Sequence, residues 1–393
     1  MIWLLIGFVI VAAAGQQNWN QQWNQRPNWQ QPQQRNKELK MLHIIYRHGI
    51  RTPADTYPND PYLNSDFYPS GWGQLTNEGK RKLFEHGLFL RNRYGKFLGT
   101  HYSPDIYYVQ TTGVDRTKMT AQCINAGLWA PNNDQHWGIL NWQPIPVNSE
   151  PLDTDSLLLV RRPCPQYHLE LDKVEQSPEI QRLLQSETPL FNELARLTGK
   201  NVKNFEDVQD VYTTLMAEEA LGLPLPEWTR QYYPQRMLKS TVLSFTLNVY
   251  NDQLSRFKGG VLLKKMINDW KSVMDGTLSP KDRKAFLYIG HDSTVVNILS
   301  ALKLWYPQVP GFAINTFFEF SRDLNTNEYG VEVFFRNSTD PHAPPYQLTI
   351  PNCDKFCPFN RLIQLTSSVV PENWDEECKS DDPNYTVPPP KPP

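Results

Sequence analysis

The sequence predicts an α/β fold in which helices flank a central sheet and a smaller, mostly helical domain is inserted. Three observations support this prediction. Short apolar runs alternate with helical periodicity in the first and last thirds of the chain, which is typical of parallel strand–helix units. Polar or charged residues follow several of these runs directly. Residues 177–257 show helical periodicity without a strand signal, which indicates the inserted domain.

The two ends of the chain differ from its middle. Residues 1–15 are apolar and uncharged and contain three successive alanines, so we expect a cleaved signal peptide, with an uncleaved signal anchor as the alternative. They are fewer than the roughly 20 apolar residues that span a membrane, and no later run is longer, so no membrane anchor is expected. The Gln-, Asn- and Trp-rich residues 16–36 predict a disordered spacer, with a sticky self-association or glycan-binding arm as the alternative. Residues 381–393 predict a Pro-rich tail.

Composition and charge narrow the possible functions. The 393 residues carry a formal net charge of −2, which gives no support for a nucleic-acid partner or a basic membrane surface. The expected domains are an α/β core over residues 37–130 and 256–380 and a helical cap over residues 131–255. With the signal peptide, this organisation predicts a secreted or lumenal protein.

The first predicted strand, residues 42–46, ends at a cluster of charged side chains. Arg47, His48 and Arg51 follow it, and Gly49 allows a sharp turn between them. In open α/β sheets, ligands bind at the carboxyl ends of the strands. Two neighbouring arginines need an anion, and the planar guanidinium suits phosphate. The alternative is the start of a helix or loop that carries surface arginines.

The next predicted elements are a helix, a strand and a second helix. Thr76 is the predicted N-cap of a helix with an apolar stripe from Leu83 to Phe97. A strand over residues 106–109 leads to a second helix, which begins near Arg116 and runs towards Trp129.

The second half of the chain predicts mostly helices before it returns to the sheet. The predicted helices cover residues 177–199, 204–221, 232–257 and 259–275. The apolar strand 285–290 then leads to His291 and Asp292, and another helix begins at Ser293. Residues 316–320 and 331–335 flank a turn-rich segment and predict a hairpin.

These strand ends bring three arginines and two histidines towards one crevice, where they would form a cradle for an oxyanion. Phosphoryl transfer needs little beyond positioning and charge stabilisation. A neutral histidine can be the nucleophile, and neighbouring guanidiniums favour its neutral form. A nearby carboxyl can protonate the leaving oxygen. Taken alone, however, Arg116 fits a solvated ion pair and Asp292 fits a helix cap.

Cysteines and glycosylation triplets agree with an oxidising compartment. The five cysteines predict disulfides with one residue left over. Cys353 and Cys357 can form a local bridge, whereas a single C-x3-C is a poor zinc signature, so no metal site is expected. Asn337 and Asn384 begin acceptor triplets for N-glycosylation.

Residues 47–53, RHGIRTP, resemble the RHGxRxP signature of the histidine acid phosphatases, and His291-Asp292 resembles their distal HD dipeptide. The resemblance to the prostatic and lysosomal branch extends from about Lys37 to Cys378. It includes the segments GQLT (73–76), VDRT (114–117), WQPIPV (142–147), GGVL (259–262) and YIGHD (288–292).

The resemblance implies a mixed α/β sheet with a mostly helical domain over the site, and an acid phosphatase that works through a phosphohistidine intermediate on phosphate monoesters. His48 would be the nucleophile and Asp292 the proton donor. The phosphoryl oxygens would be held by Arg47, Arg51, Arg116 and His291. No cofactor or metal is implied, and homodimers are common in this branch.

The resemblance also implies disulfides, and the sequence departs from the family pattern in two respects. The implied pairs are Cys164–Cys378 and Cys353–Cys357. A third pair of the branch is missing, and Cys123 is expected to be free. Ile50 stands where prostatic-type relatives often carry Asp, which could change hydrogen bonding or substrate fit. The alternative functions are a phytase-like or lipid-phosphate phosphatase of the same superfamily, or a secreted non-catalytic binding protein.

Overall fold

The structure, a computed structural model, describes residues 36–380, 382 and 385–389. The predicted signal peptide, nearly all of the predicted spacer and much of the Pro-rich tail lie outside these residues, as does Asn384. None of the helices in the described part of the chain is both long and apolar enough to cross a membrane.

The described residues alternate between strands and helices at both ends and are helical in between. The strands are β1 (Lys37–Arg47), β2 (Tyr107–Thr111), β3 (Asn148–Ser149), β4 (Ala285–Gly290), β5 (Asn315–Asp323), β6 (Tyr329–Arg336), β7 (Tyr346–Leu348) and β8 (Cys357–Pro358). The helices are α1 (Asn77–Leu98), α2 (Asp115–Leu128), α3 (Pro165–Glu175), α4 (Pro178–Thr198), α5 (Phe205–Ala220), α6 (Thr229–Tyr232), α7 (Gln235–Leu247), α8 (Asp252–Asp275), α9 (Asp292–Ala301), α10 (Phe359–Thr366) and α11 (Trp374–Glu377).

The strands form one mixed sheet in the order β3–β2–β4–β1–β5–β6–β7, and β8 also pairs with β6. The pairs from β3 to β1 are parallel, whereas β1–β5, β5–β6 and β6–β7 are antiparallel. The predicted mixed α/β fold and the predicted hairpin, now β5–β6, are therefore confirmed. The strand β1, which carries the RHGIRTP segment at its end, lies where the sheet changes from parallel to antiparallel.

Both faces of the sheet are buried. On one face, Met41 and Ile45 of β1 pack in an apolar cluster with Trp270 of α8 and Ile298 of α9. Because side chains alternate along a strand, Tyr46 points to the other face, where its ring lies near that of His86 of α1. This burial explains why the first and fourth strands are apolar along most of their lengths.

The helices between β3 and β4 have an apolar core of their own. Phe191 of α4, Val208 of α5 and Met237 of α7 belong to one buried cluster. The disulfide Cys164–Cys378 lies in the same cluster and joins the start of α3 to the end of α11. The boundaries predicted for the helical domain stay a prediction, and its predicted end at residue 255 falls inside α8.

Two of the predicted helices in this region are wrong in their bounds. We expected helices over residues 232–257 and 259–275, but α7 ends at Leu247 and α8 begins at Asp252. The side chain of Asn251 caps α8 by accepting a hydrogen bond from the backbone N–H of Leu254 at 2.9 Å.

Two successive glycines, Gly259 and Gly260, lie inside α8 where it packs against other backbones. A Cβ on Gly259 would lie 2.0 Å from the carbonyl oxygen of Asn297, and one on Gly260 would lie 1.9 Å from that of Val369. These glycines therefore permit close packing along α8. Helix α3, which begins at Pro165 after a Pro-rich stretch, was not predicted.

Candidate active site

The candidate site lies at the carboxyl ends of the parallel strands β1, β2 and β4. Arg47 is opposite Gly290 in the register of β1 and β4, so these strands end level with each other. The backbone N–H of His48 donates to the carbonyl of Gly290 at 3.0 Å, and that of Thr112 donates to the carbonyl of Ile289 at 3.1 Å. His48, Thr112 and His291 are thereby held side by side.

The turn after β1 is fixed by the first two helices. The backbone N–H of Gly49 donates to Oγ1 of Thr120 on α2 at 3.2 Å. The carbonyl of Ile50 accepts the backbone N–H of Thr76, the N-cap residue of α1, at 3.0 Å. A Cβ on Gly79 of α1 would lie 2.3 Å from the Ile50 carbonyl oxygen, so the absence of a side chain there allows the turn to rest on the helix.

His48 is buried, and a hydrogen bond fixes its ring. Nδ1 lies 3.0 Å from the carbonyl oxygen of Gly49. Because a carbonyl only accepts, Nδ1 carries the hydrogen and Nε2 keeps its lone pair. Burial, followed by the charges of Arg116 and Arg47, lowers the pKa of His48 well below its usual value of 6.5. The imidazole therefore remains neutral in mildly acidic solution and has the form that a nucleophile requires.

His291 lies beside His48, with 5.5 Å between the ring centroids. Nη2 of Arg116 lies 3.4 Å from its Nδ1, and Nε2 lies 3.0 Å from Oγ1 of Thr112. Because a guanidinium only donates, Nδ1 is the acceptor and Nε2 carries the hydrogen. Burial and the charge of Arg116 lower the pKa of His291 well below 6.5. Two strand ends and α2 thus set the position of this ring.

Three guanidinium groups surround these histidines. Burial is the main cause that lowers the pKa of Arg51 to about 9 and that of Arg116 to about 10, so both remain charged at neutral and acidic pH. Nε of Arg47 and Nε of Arg51 are buried without a hydrogen-bond partner among the described residues. Buried donors next to several positive charges are what an oxyanion would satisfy.

Asp292 supplies the carboxyl group of the site. Its Oδ2 lies 3.1 Å from Nη2 of Arg47, and its Oδ1 accepts the backbone N–H of Ser293 at 2.7 Å. The Asp292 side chain is 22% exposed, whereas that of Arg47 is 1% exposed, so the carboxyl group is the solvent-accessible partner of this ion pair. It can therefore reach a group bound at the arginines.

The structure brings together all six residues that the sequence singled out: Arg47, His48, Arg51, Arg116, His291 and Asp292. Sequence reasoning gave no role to Thr112 or to the loop before β5. In that loop, the Phe312 ring lies 4.9 Å from the Arg47 guanidinium and 6.0 Å from that of Arg51. Thr112 had a signal, because it follows β2 as His291 follows β4; Phe312 had none.

Ile50, a departure from the family pattern, is buried. It belongs to a small apolar cluster with Phe312 and with Ala217 of α5. This residue therefore connects the turn after β1 to the helical region by apolar packing.

The remaining predicted residues take no part in the contacts among these six side chains. Both implied disulfides are present, Cys164–Cys378 and Cys353–Cys357, and Cys123 is free and half-buried. Asn337 is half-buried, and its glycosylation stays a prediction. Among the residues that the structure describes, no three His, Cys, Asp or Glu side chains are grouped as ligands of a metal would be.

Comparison with known proteins identifies a family. The profile of the histidine phosphatase superfamily (branch 2) matches residues 38–336. The chain is 35% identical to the venom acid phosphatase of Apis mellifera, with 87% of this chain and 88% of that protein aligned. It is 35% identical to human lysosomal acid phosphatase (88% and 82% aligned) and 34% identical to human prostatic acid phosphatase (87% and 88% aligned).

Solved structures agree on the fold. The structure of Hafnia alvei phytase in complex with myo-inositol hexakis sulphate superposes with a TM-score of 0.66. The alignment covers 88% of this chain and 99% of the phytase at 19% identity, a level at which the likeness concerns the fold alone.

Proposed function

This chain belongs to branch 2 of the histidine phosphatase superfamily, and we propose that it is an acid phosphatase that hydrolyses phosphate monoesters through a phosphohistidine intermediate. The observation that carries the proposal is the buried His48 ring, whose Nδ1 is held by the Gly49 carbonyl so that Nε2 presents its lone pair among three guanidinium groups. The relatives that align over most of this chain are named acid phosphatases.

In the proposed reaction, Nε2 of His48 attacks phosphorus as the bond between phosphorus and the ester oxygen breaks. Asp292 gives its proton to the leaving oxygen, so the first product departs as an alcohol. Water then attacks phosphorus, the bond to His48 breaks, and Asp292 recovers a proton from the water. Inorganic phosphate is released and the enzyme returns to its first state.

The arginines supply the electrostatic stabilisation in this mechanism. Arg47, Arg51 and Arg116 hold the phosphoryl oxygens and stabilise the charge that they carry in the transition state. His291 joins them by exchanging its hydrogen bond to Thr112 for one to a phosphoryl oxygen. No residue in this scheme requires a metal or a cofactor.

Acidic conditions suit this arrangement. Phosphate monoesters have a second pKa of about 6, so the monoanion dominates in acid. A histidine with an ordinary pKa would be protonated there, whereas the lowered pKa of His48 keeps its lone pair available.

The proposal includes a secreted or lumenal location, through the predicted signal peptide, and a homodimer as one expected assembly. N-terminal sequencing of the secreted protein tests the first part, and light scattering tests the second. A phytase-like or lipid-phosphate activity remains the enzymatic alternative, which rates on phosphotyrosine, nucleotides, lysophospholipids and phytate would distinguish.

The decisive experiment compares wild type with His48→Ala on p-nitrophenyl phosphate. We expect turnover to disappear in the variant and an acid-labile, base-stable phosphoprotein to be trapped in wild type alone. His101→Ala, which changes an exposed histidine outside the crevice, is the control and should keep full activity. Turnover by His48→Ala near the wild-type rate would refute the mechanism, and an inactive wild type would favour the binding protein.

A further inference from the structure

Asn337, which directly follows β6, uses its whole side-chain amide to hold residues 308–312, called here the 308–312 loop. Its Oδ1 accepts the backbone N–H of Gly311 at 2.8 Å. Its Nδ2 donates to Oε1 of Gln308 at 2.7 Å and to the carbonyl of Val309 at 3.3 Å. Because an N–H group needs an acceptor, the bond from Gly311 fixes which way the amide points.

The 308–312 loop forms one wall of the candidate site. The carbonyl of Pro310 accepts a hydrogen bond from Nη1 of Arg47. The ring of Phe312 lies 4.9 Å from the Arg47 guanidinium and 6.1 Å from the ring of His48. Directly after the loop, the backbone N–H of Ala313 donates to the carbonyl of His48 at 3.0 Å.

The orientation of Arg47 therefore depends on this loop. Its guanidinium is held at Nη1 by Pro310 and at Nη2 by Asp292, and the side chain is almost fully buried. If the Pro310 carbonyl moved, the planar fork of Arg47 would rotate relative to the other site groups. A displacement of about 1 Å can cost about a hundredfold in rate, because the gain from preorganised groups depends on their geometry.

The 308–312 loop packs closely against the Asn337 amide. A Cβ on Gly311 would lie 2.7 Å from Oδ1 of Asn337. A side chain at residue 311 would require the Asn337 amide to shift, so the loop lies directly against this amide.

We propose that Asn337 is a positioning residue of the phosphatase site: its side-chain amide holds the 308–312 loop so that the Pro310 carbonyl orients Arg47 for the reaction. The predicted effect on turnover rests on the function proposed above. The predicted effect on anion binding through Arg47 is independent of that function.

This role is separate from carrying a glycan. A glycan on Asn337 would be attached to Nδ2 and would leave one N–H there, which is sufficient for the shorter bond, to Gln308. Thr339→Val removes the hydroxyl that the acceptor triplet requires and keeps the amide of Asn337. It is therefore the matched control.

The test measures turnover of p-nitrophenyl phosphate and the thermal shift caused by inorganic phosphate. We expect Asn337→Ala to lower kcat about tenfold, because the oriented guanidinium of Arg47 matters most in the transition state. We also expect a smaller phosphate-induced thermal shift than in wild type, because the same guanidinium binds the free anion. Asn337→Asp keeps the acceptor for Gly311 and should lose less. Thr339→Val should match wild type.

A double-mutant cycle separates positioning from general stability. If Asn337 acts through Arg47, the variant with both Arg47→Ala and Asn337→Ala should be no slower than Arg47→Ala alone. Additive losses would overturn the proposal, as would an Asn337→Ala kcat within twofold of the Thr339→Val value. If Asn337→Ala does not fold, the same cycle is run with Asn337→Asp. Should wild type be inactive, the phosphate-induced shift still decides, and an equal shift in wild type and Asn337 variants would overturn the inference.

Discussion

The buried residue Glu218 should make the folding stability of the protein depend on pH in an unusual direction. This residue of α5 is fully buried, and neither carboxyl oxygen has a hydrogen-bond donor within the described part of the chain. Burial, and after it the neighbouring Asp60 carboxyl, raises the pKa of Glu218 from 4.5 to about 8. Glu218 is therefore protonated in the folded protein at neutral and acidic pH.

The direction of the effect follows from the two states. In the unfolded chain Glu218 ionises near pH 4.5, whereas in the folded protein it ionises only near pH 8. Its contribution to stability is complete below about pH 4.5 and is lost progressively as the pH rises to about 8. At 1.36 kcal/mol per pH unit, the loss amounts to at most about 5 kcal/mol.

Glu218→Gln removes this titration and keeps a similar shape. Its melting temperature relative to wild type should increase steadily between pH 4.5 and pH 8, by roughly 5–10 °C for a loss of this size. Thermal unfolding followed by fluorescence across this range is the measurement. Glu219→Gln is the matched control, because Glu219 is exposed on the same helix and Gln can still accept the hydrogen bond from Tyr233. A difference between Glu218→Gln and wild type that stays constant with pH would refute the reasoning.

Two further predictions concern the leaving group and the long-range disulfide. Asp292→Asn should slow hydrolysis of alkyl phosphates by about 10²–10⁴-fold and that of p-nitrophenyl phosphate much less, because p-nitrophenolate leaves without a proton; equal losses on both substrates would exclude Asp292 as the donor. Replacing Cys164 and Cys378 with Ala should lower the free energy of unfolding by about 5 kcal/mol, since their bridge spans 214 residues. Chemical denaturation measures this change, with Cys123→Ala as the control, and peptide mapping that found Cys123 in a disulfide would contradict the pairing.

The local sequence pattern was sufficient to predict the strands and helices that carry the site residues. The apolar run before Arg47 and the one before His291 are strands because both faces of the sheet are covered, so a continuous apolar sequence was a reliable signal. Thr76 caps α1 as predicted, since a cap depends on the few residues around it. The types of the site residues and their places at strand ends were likewise readable from the sequence.

Long-range packing decided what the sequence left open. The sequence predicted helices over residues 232–257 and 259–275, whereas the break lies between Leu247 and Asp252. Gly259 and Gly260 lie inside α8, where they allow close contacts with the backbones of Asn297 and Val369.

Long-range packing also decides the protonation and the orientation of the important side chains. The neutral form of His48 depends on burial and on Arg116, the loop wall that orients Arg47 depends on Asn337, and the charge state of Glu218 depends on Asp60. The sequence alone determined which chemical groups this protein has and at which strand ends they stand. Only the tertiary structure determined their protonation and orientation, because both are set by neighbours that the fold brings from distant parts of the chain.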